Sequence, residues 1–126
     1  MIRSHVVCAS SAFAALVSFA PLSPAWAHAH LRSAQPPVDG TARADVQDLR
    51  ITYSEAVEPS FCQVVVTGPG GKAVEAAAPQ TDPADSKVLV IHLAHTLAPG
   101  TYKVDWHATA VDTHKTDGKY SFKIAP

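Results

Sequence analysis

The chain has 126 residues, and its 10 basic and 11 acidic side chains give a formal net charge of −1. This length suits one small domain, and a nearly neutral chain without a large basic patch argues against nucleic acid or an anionic membrane surface as its main partner. Of the two cysteines, only Cys62 lies outside the N-terminal segment described next, so we expect no internal disulfide. We expect Cys62 to act as a small hydrophobic residue on a strand.

The first 27 residues have the features of a leader sequence. Arg3 lies near the start, a run of apolar and small residues follows, and the segment ends in Ala25-Trp26-Ala27. This order is typical of a secretory signal peptide that is removed by cleavage. A membrane anchor fits less well, because serines interrupt the run and it is shorter than the roughly 20 apolar residues needed to span a bilayer. We therefore predict cleavage after Ala27 and a single mature domain over residues 28–126.

The predicted mature domain alternates short β-like runs with turn residues. In residues 28–33, Ala29 and Leu31 share one side and His28 and His30 share the other, because side chains alternate along a strand. Further strands are predicted over residues 48–54, 62–67, 72–75, 87–93 and 102–110, with a last strand after Gly118. Residues 76–85 contain two prolines and are predicted as loop. About seven strands and no convincing helix predict an all-β fold, a small antiparallel Greek-key β-sandwich or barrel of immunoglobulin-like or cupredoxin-like form.

The long strand over residues 102–110 leads to the candidate site. Its inward side carries Trp106, and the same parity continued past Ala110 reaches Asp112 and His114. We expect the strand to end there and residues 115–118 to form a turn, so that a carboxylate and an imidazole emerge together at the rim of the core. The alternative is a solvated turn in which Asp112 caps backbone N–H groups.

Cleavage after Ala27 would give His28 a free α-amine beside its imidazole. His28, Asp112 and His114 would then supply nitrogen and oxygen donors of the kind that copper(II) prefers. Zinc accepts the same donors, so the donors alone leave the metal open. A second binding mode, which excludes the first, would use the amine, two backbone amide nitrogens and the imidazole of His30 to hold copper(II) or nickel(II).

Three stretches of the mature segment form a recognisable pattern. They are HAHL from His28, LRITYSEAVEP from Leu49, and LAPGTYKVDWHATAVDTHKTDGKYSFKI from Leu97. Together they resemble the CopC family of periplasmic copper-resistance proteins over essentially the whole mature segment. The resemblance implies a small Greek-key β-sandwich in the periplasm that binds copper(II) through His28, Asp112 and His114.

The resemblance also bears on other residues. Glu55 matches a recurrent acidic position of the family and would orient a metal ligand, the alternative being an exposed loop carboxylate. Some family members carry a Met-rich segment that supplies a copper(I) site, but the matching region here, residues 68–80, contains no methionine. The resemblance therefore implies a single copper(II) site. Three further histidines, at positions 92, 95 and 107, have no partner motif in the sequence and are expected to be ordinary residues.

These observations support three hypotheses about function. The first is a mostly monomeric copper(II) carrier or buffer without enzymatic activity, for which the resemblance implies an inner-membrane CopD-like partner. The second is a copper oxidase or monooxygenase built on the N-terminal histidine, which the anionic Asp112 disfavours because it stabilises copper(II). The third is an immunoglobulin-like module that binds no metal.

Overall fold

The computed structural model describes residues 29–126, and within this part of the chain eight strands form two sheets. The strands are β1 (Leu31–Gln35), β2 (Thr41–Ala42), β3 (Asp48–Tyr53), β4 (Gln63–Thr67), β5 (Gln80–Asp82), β6 (Asp85–His92), β7 (Gly100–Thr109) and β8 (Lys115–Ile124). Two single 3-10 turns lie at Pro59–Phe61 and Pro69–Gly71. Residues 29–126 contain no helix long and apolar enough to cross a membrane.

One sheet has the strand order β1-β3-β6-β5 and the other has the order β2-β8-β7-β4. All strand pairs are antiparallel except the short pair between β2 and β8. The inner faces of the two sheets pack against each other, as expected for a β-sandwich. The predicted all-β sandwich is therefore confirmed, with eight strands instead of about seven.

Alternation of buried and more exposed residues along β3, β7 and β8 builds much of the core. On β3, Leu49, Ile51 and Tyr53 are buried while the residues between them are partly exposed. The same alternation along β7 and β8 buries Tyr102, Val104, Trp106, Ala108, Tyr120, Phe122 and Ile124. Burial of these apolar side chains drives the sheets together, because each buried methylene contributes about 0.8 kcal/mol.

Two predictions between residues 72 and 85 are wrong. Residues 72–75 form no strand; Ala73 bridges to Thr67 of one sheet and Ala76 to Leu93 beside the other. The segment crosses between the two sheets, so it cannot pair along its length with either. Residues 80–82, predicted as loop, form the edge strand β5, and Asp82 makes an ion pair with Arg50 across the sheet. A proline just before a short edge strand is tolerated, because it removes no hydrogen bond inside the sheet.

The turn between β7 and β8 lies earlier than predicted. Residues 115–118 continue as strand β8, and Trp106 pairs with Gly118 in the register of the two strands. A Cβ atom at Gly118 would lie 2.6 Å from Cζ2 of Trp106. Glycine is therefore required here because the indole covers the strand, and not because the chain turns.

Candidate metal centre

The hairpin turn between β7 and β8 presents the predicted carboxylate and imidazole. The backbone N–H of Ala110 donates to the carbonyl of His114 at 2.9 Å, and the N–H of Thr113 donates to the carbonyl of Ala110 at 2.9 Å. Thr113 takes a positive φ of 78°, which reverses the chain within three residues. The turn holds Asp112 and His114 at one end of the sandwich.

Asp112 and His114 contact each other directly. Oδ2 of Asp112 lies 2.9 Å from Nδ1 of His114, and Oδ1 accepts the backbone N–H of His114 at 3.2 Å. The side chains remain 42% and 56% exposed, so other groups can reach them. The turn-capping role of Asp112 and its pairing with the imidazole are therefore present together.

Asp112 supplies an anionic oxygen beside the imidazole of His114. The hydrogen bond from the His114 ring, followed by the one from the His114 backbone N–H, holds the pKa of Asp112 below its usual value. Asp112 is thus an anion at neutral pH. When Nδ1 of His114 carries the proton that Asp112 accepts, Nε2 has a free lone pair; Asp112 can bind the same metal ion only after this contact opens.

The start of the described chain is fixed beside this hairpin. Ala29 is completely buried, and its carbonyl accepts a 2.7 Å hydrogen bond from Oγ1 of Thr116. Thr116 lies on β8 two residues beyond His114, which is about 7 Å along a strand. His28 itself lies outside the described residues.

His30 and Glu55 lie at the same end of the sandwich as Ser54. His30 is hydrogen-bonded to Ser54, and Glu55 is the next residue in the chain. The backbone N–H of His30 donates to Oγ of Ser54 at 2.9 Å, and the N–H of Ser54 donates to the carbonyl of His30 at 2.8 Å. The His30 side chain is exposed, as the alternation from Ala29 to Leu31 predicts. Glu55 is also exposed, and its carboxylate makes no hydrogen bond or ion pair with residues 29–126.

The described residues do not complete a metal site by themselves. Among residues 29–126, no three His, Cys, Asp or Glu side chains lie close enough to hold a metal ion together. Cys62 is buried, and its thiol donates to the carbonyl of Glu58 at 3.2 Å. Burial raises the pKa of this thiol, so Cys62 is a poor metal ligand and behaves as the predicted small hydrophobic residue.

Sequence reasoning missed the two hydroxyl groups that anchor the chain beside the site. Ser54 and Thr116 each bond to the backbone of the segment that begins at Ala29. Thr116 is 87 residues from its partner and Ser54 is 24 residues from His30. A hydroxyl that binds a distant backbone group leaves no spacing pattern, so only the strand register reveals it.

Known proteins share this architecture and sequence. The family model for the CopC domain matches residues 31–125. Protein YobA of Escherichia coli K12 is 39% identical over 99 residues, covering 79% of this chain and 80% of YobA. Copper resistance protein C of Pseudomonas syringae pv. tomato is 33% identical over 122 residues, covering 90% of this chain and 95% of that protein.

Solved structures agree with these sequence matches. PcoC, described as a methionine-rich copper resistance protein from Escherichia coli, superposes with a TM-score of 0.72 at 31% identity, covering 79% of this chain and all of that chain. CopC from Methylosinus trichosporium OB3b superposes with a TM-score of 0.71 at 24% identity, covering 79% of this chain and 95% of that one, and shares the fold. Fold, family model and relatives therefore agree that the chain belongs to the CopC family.

Proposed function

We propose that the protein binds copper(II) through His28, Asp112 and His114 and serves as a periplasmic copper carrier or buffer. The observation that carries the proposal is the Asp112–His114 pair, which contacts at 2.9 Å beside the anchored Ala29. The pair supplies one imidazole and one carboxylate. Residues 29–126 hold no preformed group of three such donors, so the site needs further ligands.

We propose His28 as the residue that supplies them. It precedes Ala29 in the sequence, and the carbonyl of Ala29 is anchored by Thr116. Cleavage after Ala27 would give His28 an α-amine as well as an imidazole, two donors from one residue. This leader cleavage and export to the periplasm are part of the proposal, supported by the leader pattern and by the copper resistance proteins among the relatives.

The hydrogen bonding of His30 favours this arrangement over the amide-wrapping mode. In that mode the backbone nitrogen of His30 must lose its proton and bind the metal. Here the N–H of His30 donates to Ser54, and the carbonyl of Ala29 accepts from Thr116. Wrapping the metal would break this anchoring, whereas binding through His28 leaves it intact.

The donor set favours copper(II) over copper(I). Copper(I) prefers thiolates and thioethers. The chain's only methionine is Met1, in the predicted leader, and Cys62 is buried with a raised thiol pKa. PcoC is methionine-rich by its own description, so this chain lacks a feature of that relative. We accordingly propose one copper(II) site at this end of the sandwich and no methionine site.

A carrier fits the exposed position of the pair better than an enzyme does. Both side chains are open to solvent, so a partner's ligands can approach and replace them one at a time. We propose an inner-membrane CopD-like protein as the partner and a mostly monomeric state in solution.

The test uses protein purified after export, with its first residue identified by mass spectrometry. Trp106 is the only tryptophan beyond residue 27, so its fluorescence reports copper(II) titrations, and EPR reports the ligands. We expect His114→Ala and Asp112→Asn each to weaken the first copper(II) equivalent by roughly 10- to 100-fold and to change the EPR spectrum. His107→Ala replaces an exposed histidine on β7 and is the matched control, expected to bind as the original protein does.

A version with one extra residue before His28 tests the amine donor. We expect much weaker binding, because the α-amine is then part of a peptide bond. Equal affinity of the two versions, or a mature chain that begins elsewhere, would contradict the model. If only His30→Ala alters the EPR spectrum, the amide-wrapping mode is correct.

A further inference from the structure

A second pair of an aspartate and a histidine lies at the opposite end of the sandwich. Asp48 begins β3 and His92 ends β6, and the register of these antiparallel strands sets the two residues directly opposite each other. Nδ1 of His92 makes a hydrogen bond with Oδ1 of Asp48. Side chains of directly opposed residues share one face of a sheet, so strand pairing fixes this contact.

Two more donor side chains lie beside this pair. Nε2 of His95 is 3.4 Å from Oε2 of Glu75. Backbone hydrogen bonds tie their segments to β6: the N–H of Ala94 donates to the carbonyl of Glu75 at 3.0 Å, and the N–H of Ala77 donates to the carbonyl of His92 at 2.8 Å. Four donor side chains from three separate segments therefore lie along this rim as two separate pairs, and no three of them already converge.

A cleft runs from the Asp48–His92 pair to His95. Its volume is about 340 Å³, and its lining includes Asp48, His92 and His95. The side chains of His92 and His95 are 58% and 78% exposed, and that of Glu75 is 78% exposed. The histidines can therefore rotate into the cleft without displacing core residues.

We propose that Asp48, His92 and His95 form a second metal site, which takes a divalent transition-metal ion such as copper(II) or zinc(II). Two imidazoles and a carboxylate suit these ions, whereas magnesium and calcium prefer oxygen donors alone. The Asp48–His92 contact brings two of the donors together, and their hydrogen bond opens when both bind the same ion. His95 completes the set when its ring leaves Glu75 and turns into the cleft, and water fills the remaining coordination positions.

The site assembles only as the metal binds. In the described part of the chain, no three such donors already converge. Reorientation of His95 and loss of its contact with Glu75 oppose binding, so this site is the weaker and more exchangeable of the two. The six residues of β3 separate it from the Ser54 end by roughly 20 Å at about 3.3 Å per residue, so the two sites share no ligand.

Zinc(II) titration of the purified protein, followed by NMR of the histidine rings, tests the proposal. Zinc is diamagnetic, so the ring signals of His92 and His95 are expected to shift together along one binding curve. We expect His92→Ala and His95→Ala each to weaken that curve at least tenfold. His107→Ala, at an exposed histidine outside the cluster, is the matched control and is expected to leave it unchanged.

A His114→Ala variant distinguishes metal binding at the two proposed sites. In that variant we expect the shifts of His92 and His95 to persist in zinc(II) and a weaker copper(II) equivalent to remain. Thermal unfolding of each metal-free variant checks that the fold is intact, which the exposure of all these side chains favours. The proposal is overturned if the signals of His92 and His95 stay fixed at saturating zinc(II), or if His95→Ala binds as tightly as the original protein. If copper(II) does not bind at Asp112 and His114, the zinc(II)-induced shifts of His92 and His95 are still expected.

Discussion

Thr116→Val tests whether anchoring of the chain start prepares the copper site. The Thr116 hydroxyl donates to the carbonyl of Ala29 at 2.7 Å, and Ala29 is completely buried. Valine keeps the shape of threonine and removes the donor. The buried carbonyl of Ala29 is then left without this partner, which costs about 1 to 3 kcal/mol. We expect the free energy of unfolding to fall by that amount.

The effect on copper(II) affinity follows from the same hydrogen bond. Without it, Ala29 is less ordered in the metal-free protein, so copper(II) binding at the proposed site must supply that ordering. The net contribution of one hydrogen bond, about 0.5 to 1.5 kcal/mol, corresponds to a loss of about 2- to 12-fold in affinity at about 1.4 kcal/mol per tenfold.

Two measurements separate these effects. Chemical denaturation followed by Trp106 fluorescence gives the stability, and copper(II) titration against a competing chelator gives the affinity. Thr101→Val makes the same chemical change at an exposed position at the start of β7, and we expect no effect on either quantity. An unchanged copper(II) affinity in Thr116→Val, or an equal loss in Thr101→Val, would refute the reasoning.

Three further predictions concern the metal-free protein. Contact with His114 holds the pKa of Asp112 below its ordinary value of about 3.9, so this contact stabilises the fold above about pH 4 and is lost as the pH falls further. In Asp112→Asn, the free energy of unfolding measured by denaturation from pH 5 to 2 should therefore fall less steeply as the pH is lowered. Gly118→Ala places a Cβ 2.6 Å from the buried indole of Trp106 and should lower the unfolding free energy by about 1 to 3 kcal/mol, whereas an unchanged value would mean that the indole moves freely. The buried hydroxyl of Tyr120 has no hydrogen-bond partner among residues 29–126. Tyr120→Phe should therefore leave the free energy of unfolding unchanged or raise it by up to about 3 kcal/mol, and a clear decrease would contradict this.

Alternation of apolar and polar residues predicted the longer strands but not the shortest ones. The alternation of Leu49, Ile51 and Tyr53 defines β3 because each inward side chain is apolar and each neighbour is polar. Strands β2 and β5 have only two and three residues, too few to show a period. They exist because β8 and β6 offer edges for pairing, which no local pattern encodes.

The candidate sites show the same division. Asp112 and His114 are two residues apart, so strand parity was enough to predict that they lie together, and the structure brings them into contact. Asp48 and His92 are 44 residues apart, so reading His92 alone found no partner. Cross-strand pairs of this kind require the register of the sheet, which depends on tertiary packing.

The proposed copper carrier must hold its ion firmly and still release it to a partner. We infer that backbone anchoring serves the first requirement and that exposed side chains serve the second. Hydrogen bonds within the β7–β8 hairpin hold the backbone of the proposed ligands Asp112 and His114, and the bond from Thr116 holds the backbone of Ala29. The side chains of Asp112 and His114 remain about half exposed, and their mutual contact can form again once the ion leaves. Backbone anchoring therefore favours capture by reducing the ordering that binding requires, while exposure of the donors lets incoming ligands displace them stepwise. A buried site of the same donors would bind with the same chemistry but would have to open before transfer.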